Sequence, residues 1–430
     1  MSEEQLFVFA VDLTGHPIRN AGQALKRKYY YVLKHYVEEC ITSAYADNRL
    51  ELYRAFLLQD DGEVLDYKKC EKAMVTCRFR PWRRQYKLWL VCDLALITGD
   101  LDVCRKAVEL MKAATDPKQG EGLDALVKYL KSRERSQKTC ALETAAYLMQ
   151  QYWINENFQN APEKRIVITA NMSAGKSTLI NALAGKDLAR TAQEACTGNI
   201  CYFYNLPFDD GTVHFKGKEL GFSSSEDEYK AFGWDSEVAF ATAFFRACSG
   251  TDRICLIDTP GVNSAISREH GRISKKCIRE EEYDQVLYIL NANKLGSDEE
   301  VAYLKWISKN VPAEKVIFVL NKLDDFKRSE DSIASSMEGV RSDLEKLGYD
   351  HPVIFPISAY FGYLLKSEKQ GKALTEDEAD ELAFLKRKFL KAEYNLSAFY
   401  GESHCGNDFE GYMKRSGLYY LEKKLYGGQL

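Results

Sequence analysis

The sequence is short of several things that would commit it to a class at once. Its twelve cysteines are scattered and include no CxxC pair. Neither a disulfide scaffold nor a paired zinc site is therefore written into the chain, and the thiols read as reduced cysteines of a cytoplasmic protein. The six histidines show no ligand spacing. No window approaches the roughly 20 apolar residues of a membrane span, and the acidic start "MSEEQLFVFAVDLTG" is not that of a signal peptide. A net charge of −4 lacks the basic excess that would point to nucleic acid as a partner. No Ser–His–Asp or Cys–His arrangement can be argued. What is left is a soluble chain, free or peripheral at a membrane surface, and at 430 residues long enough for two domains.

Residues 1–157 read as a mainly α-helical N-terminal domain. "ALKRKYYYVLKHYVEECITSAY" and "LDALVKYLKSRERSQKTCALETAAYLMQQYW" place apolar residues at intervals of three and four. Only "QLFVFAVDL" reads as a strand. "FLLQDDGEVLDYKKCEKAM" and "LALITGDLDVCRKAVELM" share a loose pattern: an apolar helix, a Gly–Asp turn, then an Asp placed to cap the next helix. Asp60, Asp61 and Asp100 lie in those turns. Their spacing is not that of a calcium loop, so turn and cap roles are expected. "RFRPWRRQYKLWL" mixes arginines with aromatics, which suits acidic lipid or RNA. It suits equally a solvated helix start with Trp82 and Trp89 in the core, the reading preferred here.

The polar, proline-containing "NENFQNAPEK" (155–164) marks the boundary, and residues 158–430 read as the second domain. Short apolar, β-branched runs alternate there with helical stretches. "RIVITA", "ICYFYNL", "RICLIDTP", "QVLYILNA", "KVIFVLNK" and "PVIFPISA" are strand candidates. Lys176 to Leu183, "SEVAFATAFFRAC" and "SDEEVAYLKWISKN" are helix candidates. This alternation predicts an α/β fold with a mostly parallel sheet flanked by helices. Ligands of such sheets bind at the carboxyl ends of the strands, where every motif below falls.

"ANMSAGKST" follows the run "RIVIT" directly. Backbone N–H groups of Asn171, Met172, Ser173, Ala174 and Gly175, with those of the helix start at Lys176, Ser177 and Thr178, can cradle phosphates. Lys176 adds a cation and Ser177 a hydroxyl for magnesium. Ala170 stands where such a loop normally opens with glycine. "CLIDTPG" ends an apolar run with Asp258, a carboxylate able to hold Mg2+ through water, and Gly261, whose N–H can sense a γ-phosphate. "VIFVLNKLDDF" supplies a base reader. Asp324 can accept from guanine N1–H and the exocyclic amine, a pattern adenine lacks. Asn321 can support the loop, and the Lys322 stem can lie over the ring. In "VIFPISAY", the N–H of Ser358 or Ala359 can reach guanine O6. Between the first two motifs, "RTAQEACTGNICYF" places Thr197 to complete the magnesium shell, with Thr191 as its rival. Together, and in this order, the four motifs specify a P-loop GTPase domain that binds GTP and GDP.

From Arg165 to the C-terminus the chain resembles the dynamin family, specifically its bacterial members, in "SAGKSTLINALAG", "QEACTGNI", "DTPG", "NKLD" and the terminal "SGLYYLEKKLY". The resemblance implies a GTPase domain that pairs head to head through bound nucleotide and is thereby stimulated. It implies that Ser173 helps hold a charge-compensating cation, making Ser173, Lys176, Thr197 and Gly261 the catalytic set and Ser177, Thr197 and Asp258 the metal set. It also implies that the helix ending near Trp153 packs on the C-terminal helix. The chain departs from the family at three points. Val262 and Met172 stand where glutamines position water in related GTPases. The helices lie N-terminal, with an insert at about 361–410, rather than in a C-terminal stalk, so the chain is either truncated or works without a stalk. The leading expectation is GTP hydrolysis with Mg2+ stimulated by dimerisation. The alternative is a slow-turnover GTP/GDP switch that recruits a protein partner through its helical domain. A ribosome-assembly GTPase is a third reading, weakened by the absence of a basic RNA-binding domain.

Overall fold

The computed structural model describes residues 7–58, 64–76, 85–115, 117–134, 142–171, 173–189, 200–217, 220–231, 240–247, 252–261, 268–326, 332–402 and 404–426. They contain the strands β1 (Lys164–Ala170), β2 (Cys201–Asn205), β3 (Val213–Lys216), β4 (Leu220–Ser224), β5 (Phe240–Ala243), β6 (Ile254–Asp258), β7 (Gln285–Asn291), β8 (Val316–Asn321) and β9 (Ile354–Pro356). The chain forms two compact units. The first comprises 1–161, 206–215 and 219–229; the second comprises 162–205, 216–218 and 230–430.

The first unit is helical: α1 (Gln23–Cys40), α2 (Ala44–Leu57), α3 (Tyr67–Met74), α4 (Gln85–Thr98), α5 (Arg105–Ala113), α6 (Pro117–Ser132) and α7 (Ala146–Asn160). α4 is buried without a break from Trp89 to Thr98, which makes it the central element rather than an amphipathic surface helix. Its one carboxylate, Asp93, is fully satisfied inside the core. The hydroxyls of Tyr29 (2.5 Å) and Tyr53 (2.9 Å) donate to it, and His16 Nε2 lies 3.1 Å away. Burial and the neighbouring carboxylate push both phenols well above their usual pKa. Trp89 lies in the core with its indole N–H on the Thr144 carbonyl at 3.0 Å; Trp82 lies outside the described residues. Asp66 caps α3 through the Lys68 N–H. Its counterpart Asp102 does not cap α5, whose N-cap is Cys104. Asp102 pairs instead with Arg105 and Lys131, while Asp100 accepts the Asp102 N–H in a local turn. Asp60 and Asp61 lie outside the described residues.

Two expectations change here. "QLFVFAVDL" is buried but forms no strand over its described residues. Its backbone is paired by side-chain amides of α7: Asn155 receives the Ala10 N–H and donates to the Ala10 carbonyl, both at 2.8 Å, and Gln151 does the same for Asp12 at 2.8 and 2.9 Å. For the same reason the polar run from residue 155 is not a linker at its start. α7 continues through it to Asn160, because its asparagine is a buried partner rather than a solvated loop residue. The segment around residue 210 completes this unit. Asp210 accepts from Val11 N–H at 3.4 Å and lies 3.3 Å from His214 Nε2. Burial would raise its carboxyl, but the hydrogen bond and charge of His214 and the charge of Arg49 hold it down at about 2.

In the second unit the strands run in the order β5-β2-β6-β1-β7-β8-β9. β1 is parallel to β6 and β7, and β7, β8 and β9 continue in parallel. β2 runs antiparallel to β6 and carries β5 with it. The central strands are apolar and buried on both faces, as a sheet covered by helices requires. The helix expected at "SEVAFATAFFRAC" is overturned over its described part. Phe240–Ala243 is strand β5, paired with Tyr202–Asn205, so cross-strand pairing overrides the helix propensity of its alanines. The helices used below are α8 (Lys176–Ala184), α9 (Asp298–Asn310), α10 (Ala359–Lys369), α11 (Glu376–Phe389) and α12 (Leu418–Leu425).

Candidate functional site

β1 is buried from Ile166 to Ala170 and leads directly into the candidate phosphate loop. Ala170 is still strand, in register with Ile289 of β7, so its backbone is extended and does not need glycine. The turn is made later, at Ser173 (φ 61°) and Gly175 (φ 87°). At Gly175 a Cβ would lie 2.5 Å from Asn321 Nδ2, so both backbone conformation and space require glycine there.

Two asparagines at equivalent strand ends hold the loop. Asn291 of β7 and Asn321 of β8 are register partners. The Asn291 amide donates to the Ser173 carbonyl (3.1 Å) and the Asn321 amide to the Ala174 carbonyl (3.0 Å). Fixing successive carbonyls against the strands leaves the amide side of the loop for an anion. Asn291 went unremarked in the sequence, although "QVLYILN" and "VIFVLN" end alike. Lys176 opens α8 and its ammonium pairs with the Asp258 carboxylate, both side chains being about seven-eighths buried. Ser177 and Thr178 occupy the same first turn of α8. Asp258 is held there because β6 pairs with β1 in register, Asp258 beside Ile168, and because the Thr259 hydroxyl donates to the Ile168 carbonyl at 2.9 Å. Gly261 follows, buried. Met172, Thr191, Thr197 and Val262 lie outside the described residues.

The candidate base-reading side is joined to the candidate phosphate loop by the same asparagine. Asn321 Oδ1 accepts the Ala359 N–H at 3.0 Å, so one side chain ties three loops together. The Ser358 hydroxyl donates to Asp324 Oδ1 at 2.6 Å and accepts the Phe361 N–H at 3.1 Å as N-cap of α10. The N–H groups expected for guanine O6 are already engaged, Ser358 by the Ser416 carbonyl (2.8 Å) and Ala359 by Asn321. A base carbonyl at Ala359 therefore has to share or displace the asparagine oxygen. Lys322 takes a left-handed backbone (φ 67°), and its Cε lies 3.9 Å from the Cβ position of Gly175, beside the phosphate loop. Burial raises the Asp324 carboxyl above its ordinary value, against the opposing Ser358 hydrogen bond and Lys388 charge. Lys388, on the insert helix α11, donates to the carbonyls of Asp324 (2.5 Å) and Phe326 (2.9 Å). No local pattern announces this contact.

At the far end of α8, Lys366 of α10 donates to the Ala182 carbonyl at 2.7 Å and pairs with Glu422 of α12, both side chains buried. A lysine at a helix C-terminus complements its dipole and here fixes the phosphate-loop helix to the last helix of the unit. Among the described residues, no group of three or more His, Cys, Asp or Glu side chains could hold a metal ion. The donors offered to a cation, the Ser177 hydroxyl and the Asp258 carboxylate, are hard oxygens, the set that suits magnesium shared with phosphates.

Residues 166–323 match the sequence model of the dynamin family. The chain is 25% identical over 197 residues to the "Probable transmembrane GTPase FZO-like, chloroplastic" of Arabidopsis thaliana, a match covering 45% of this chain and 19% of that protein. It is 26% identical over 175 residues to "Dynamin-like protein A" of Bacillus subtilis (strain 168), covering 39% and 14% respectively. An uncharacterised protein of Caldicellulosiruptor sp. (strain Rt8B.4) is 25% identical over 244 residues, covering 53% of this chain and 57% of that one. The chain thus spans a fifth or less of the two relatives that carry functional names. The family match runs from β1 through the candidate phosphate loop and Asp258 to Leu323, so this part of the chain is similar to the dynamin family.

Proposed function

We propose that the chain binds GTP and GDP with Mg2+, hydrolyses GTP to GDP, and does so faster when two copies meet through their nucleotide faces. The observation that carries this is the base-reading carboxylate. Asp324 is largely withdrawn from water, accepts the Ser358 hydroxyl, and is joined through the Asn321 loop to the phosphate loop. A buried carboxylate beside a phosphate cradle is complementary to the two N–H edges of guanine and to no other common base.

Each residue then has a task. The loop from Asn171 to Gly175 and the first turn of α8 bind the phosphates through N–H groups, and Lys176 neutralises them. Lys176 and Asp258 already neutralise each other, so phosphate draws the ammonium and leaves the carboxylate to a cation. Ser177, Asp258 and Thr197 would hold Mg2+, which when bound offsets charge developing on the phosphates. Gly261 offers its N–H to the γ-phosphate, and Ser173 helps hold a charge-compensating cation at the phosphates. The N-terminal helical unit is the place for a protein partner or a membrane surface. The proposed location is the cytoplasm, free or peripheral at a membrane surface; no described helix is long and apolar enough to cross a membrane.

The test is GTP turnover per molecule over a wide range of protein concentration, beside Lys176→Ala. Specific activity should rise with concentration, and the variant should lose about 100-fold or more of it, as removing one preorganised charge does. Flat, barely detectable turnover with tight GTP binding would replace this mechanism with a binding switch awaiting a partner.

A further inference from the structure

The insert helix α11 has no part in the function proposed so far. It is a well-made helix. Thr375 and Glu378 form a reciprocal capping box at its start, and Phe389 near its end stacks on Phe361 of α10 at 4.7 Å between ring centres. This docking carries Lys388 to the back of the base-reading loop. Its ammonium donates to the main-chain carbonyls of Asp324 and Phe326 and lies 4.6 Å from the centre of the Tyr394 ring. Two carbonyls two residues apart converge on one cation, so the loop's curvature on the far side of Asp324 is set by an element 64 residues away.

We infer that Lys388 is a positioning residue for guanine recognition. It shapes the loop that presents Asp324 and keeps that carboxylate charged for its hydrogen bonds to the base. The inference rests on the guanine-nucleotide reading above. The groups around Asp324 are the Ser358 hydroxyl, the Asp325 carboxylate, the Tyr360 phenol and the Lys388 ammonium. Those around Lys388 are Asp324, Asp325, Lys391 and Tyr394. Of the groups around Asp324, Lys388 is the cation, and its charge works against the burial that favours the protonated carboxyl. A lysine that only filled space would not affect that protonation.

The experiment measures binding of a fluorescent GDP analogue to the full chain from pH 5 to 8, together with KM and kcat for GTP. Lys388→Met should weaken binding about tenfold at neutral pH, the scale of one charge-assisted hydrogen bond. It should also move the acid limb of binding to higher pH, and raise KM while leaving kcat in place. Lys388→Arg should restore both affinity and pH profile. Lys388→Gln keeps a donor for the carbonyls without the charge, and should move the acid limb with a smaller loss at neutral pH. It also serves if the methionine variant fails to fold. Wild-type binding with unchanged affinity and pH profile in the Met or Gln variants overturns the role of Lys388. A wild type that does not bind the analogue overturns the guanine reading itself.

Discussion

Asp324 meets two opposed demands. The proposed reading of guanine requires the ionised carboxylate, while burial favours the neutral acid and raises its pKa. Binding is therefore expected to weaken on acidification, with a midpoint above that of an ordinary aspartate, because the acid form presents an O–H donor where one of the two guanine N–H groups needs an acceptor. Calorimetric titration of GDP across pH 4–7 checks both the direction and the release of protons on binding. Asp324→Asn replaces one acceptor by a donor, which matches xanthine, whose C2 bears a carbonyl in place of the amine. The variant should lose GTP affinity by about 3 kcal/mol, the worth of one strong or two modest charged hydrogen bonds, and gain xanthosine triphosphate as a substrate. Unchanged discrimination between the two nucleotides would show that Asp324 does not face the base.

The elements explain which parts of this site were legible in the sequence. β1, β6, β7, β8 and β9 stand out because buried parallel strands are short apolar runs, and the phosphate loop, Asp258 and Asp324 follow them at once. β5 was hidden, because "FATAFF" satisfies helical periodicity as well as strand pairing. The continuation of α7 was hidden by its polar residues, of which Asn155 pairs with main-chain groups of a segment 145 residues away. Lys388 was unreadable for the same reason: its acceptors are carbonyls, which every residue has. Asn291 lies between these extremes, since its equivalence to Asn321 is visible once the two strands are set in register. Asn291→Leu should leave the sheet intact but orphan the Ser173 carbonyl, at about 1–3 kcal/mol. Nucleotide affinity should fall, and the melting temperature should drop by several degrees. A normal affinity would mean that Asn321 alone holds the loop.

At the scale of the whole molecule, the boundary drawn near residue 157 is one crossing among several, since 206–215 and 219–229 belong with the helices. Asp210 shows what this passage contributes. Its carboxyl is held near 2 in the folded chain, below its unfolded value, so its stabilising effect is present above pH 4 and is lost as pH falls toward 2. Asp210→Asn should destabilise the helical unit by roughly 2 kcal/mol at neutral pH, with the difference shrinking below pH 4. Urea midpoints at pH 7 and pH 3 measure it, and an equal deficit at both would show that the charge is not the cause.

The interleaved path also orders events in time. A ribosome that has released residues 1–161 has released α1 to α7 of the first unit but neither Asp210 nor His214. At about 5–20 residues per second, seconds pass before they emerge, and by then the phosphate loop is already outside as well. The nascent helical unit thus waits for a return visit of its own chain, made from within the sequence of the second unit. A stop after residue 161 should leave a looser and more aggregation-prone product than one after residue 229.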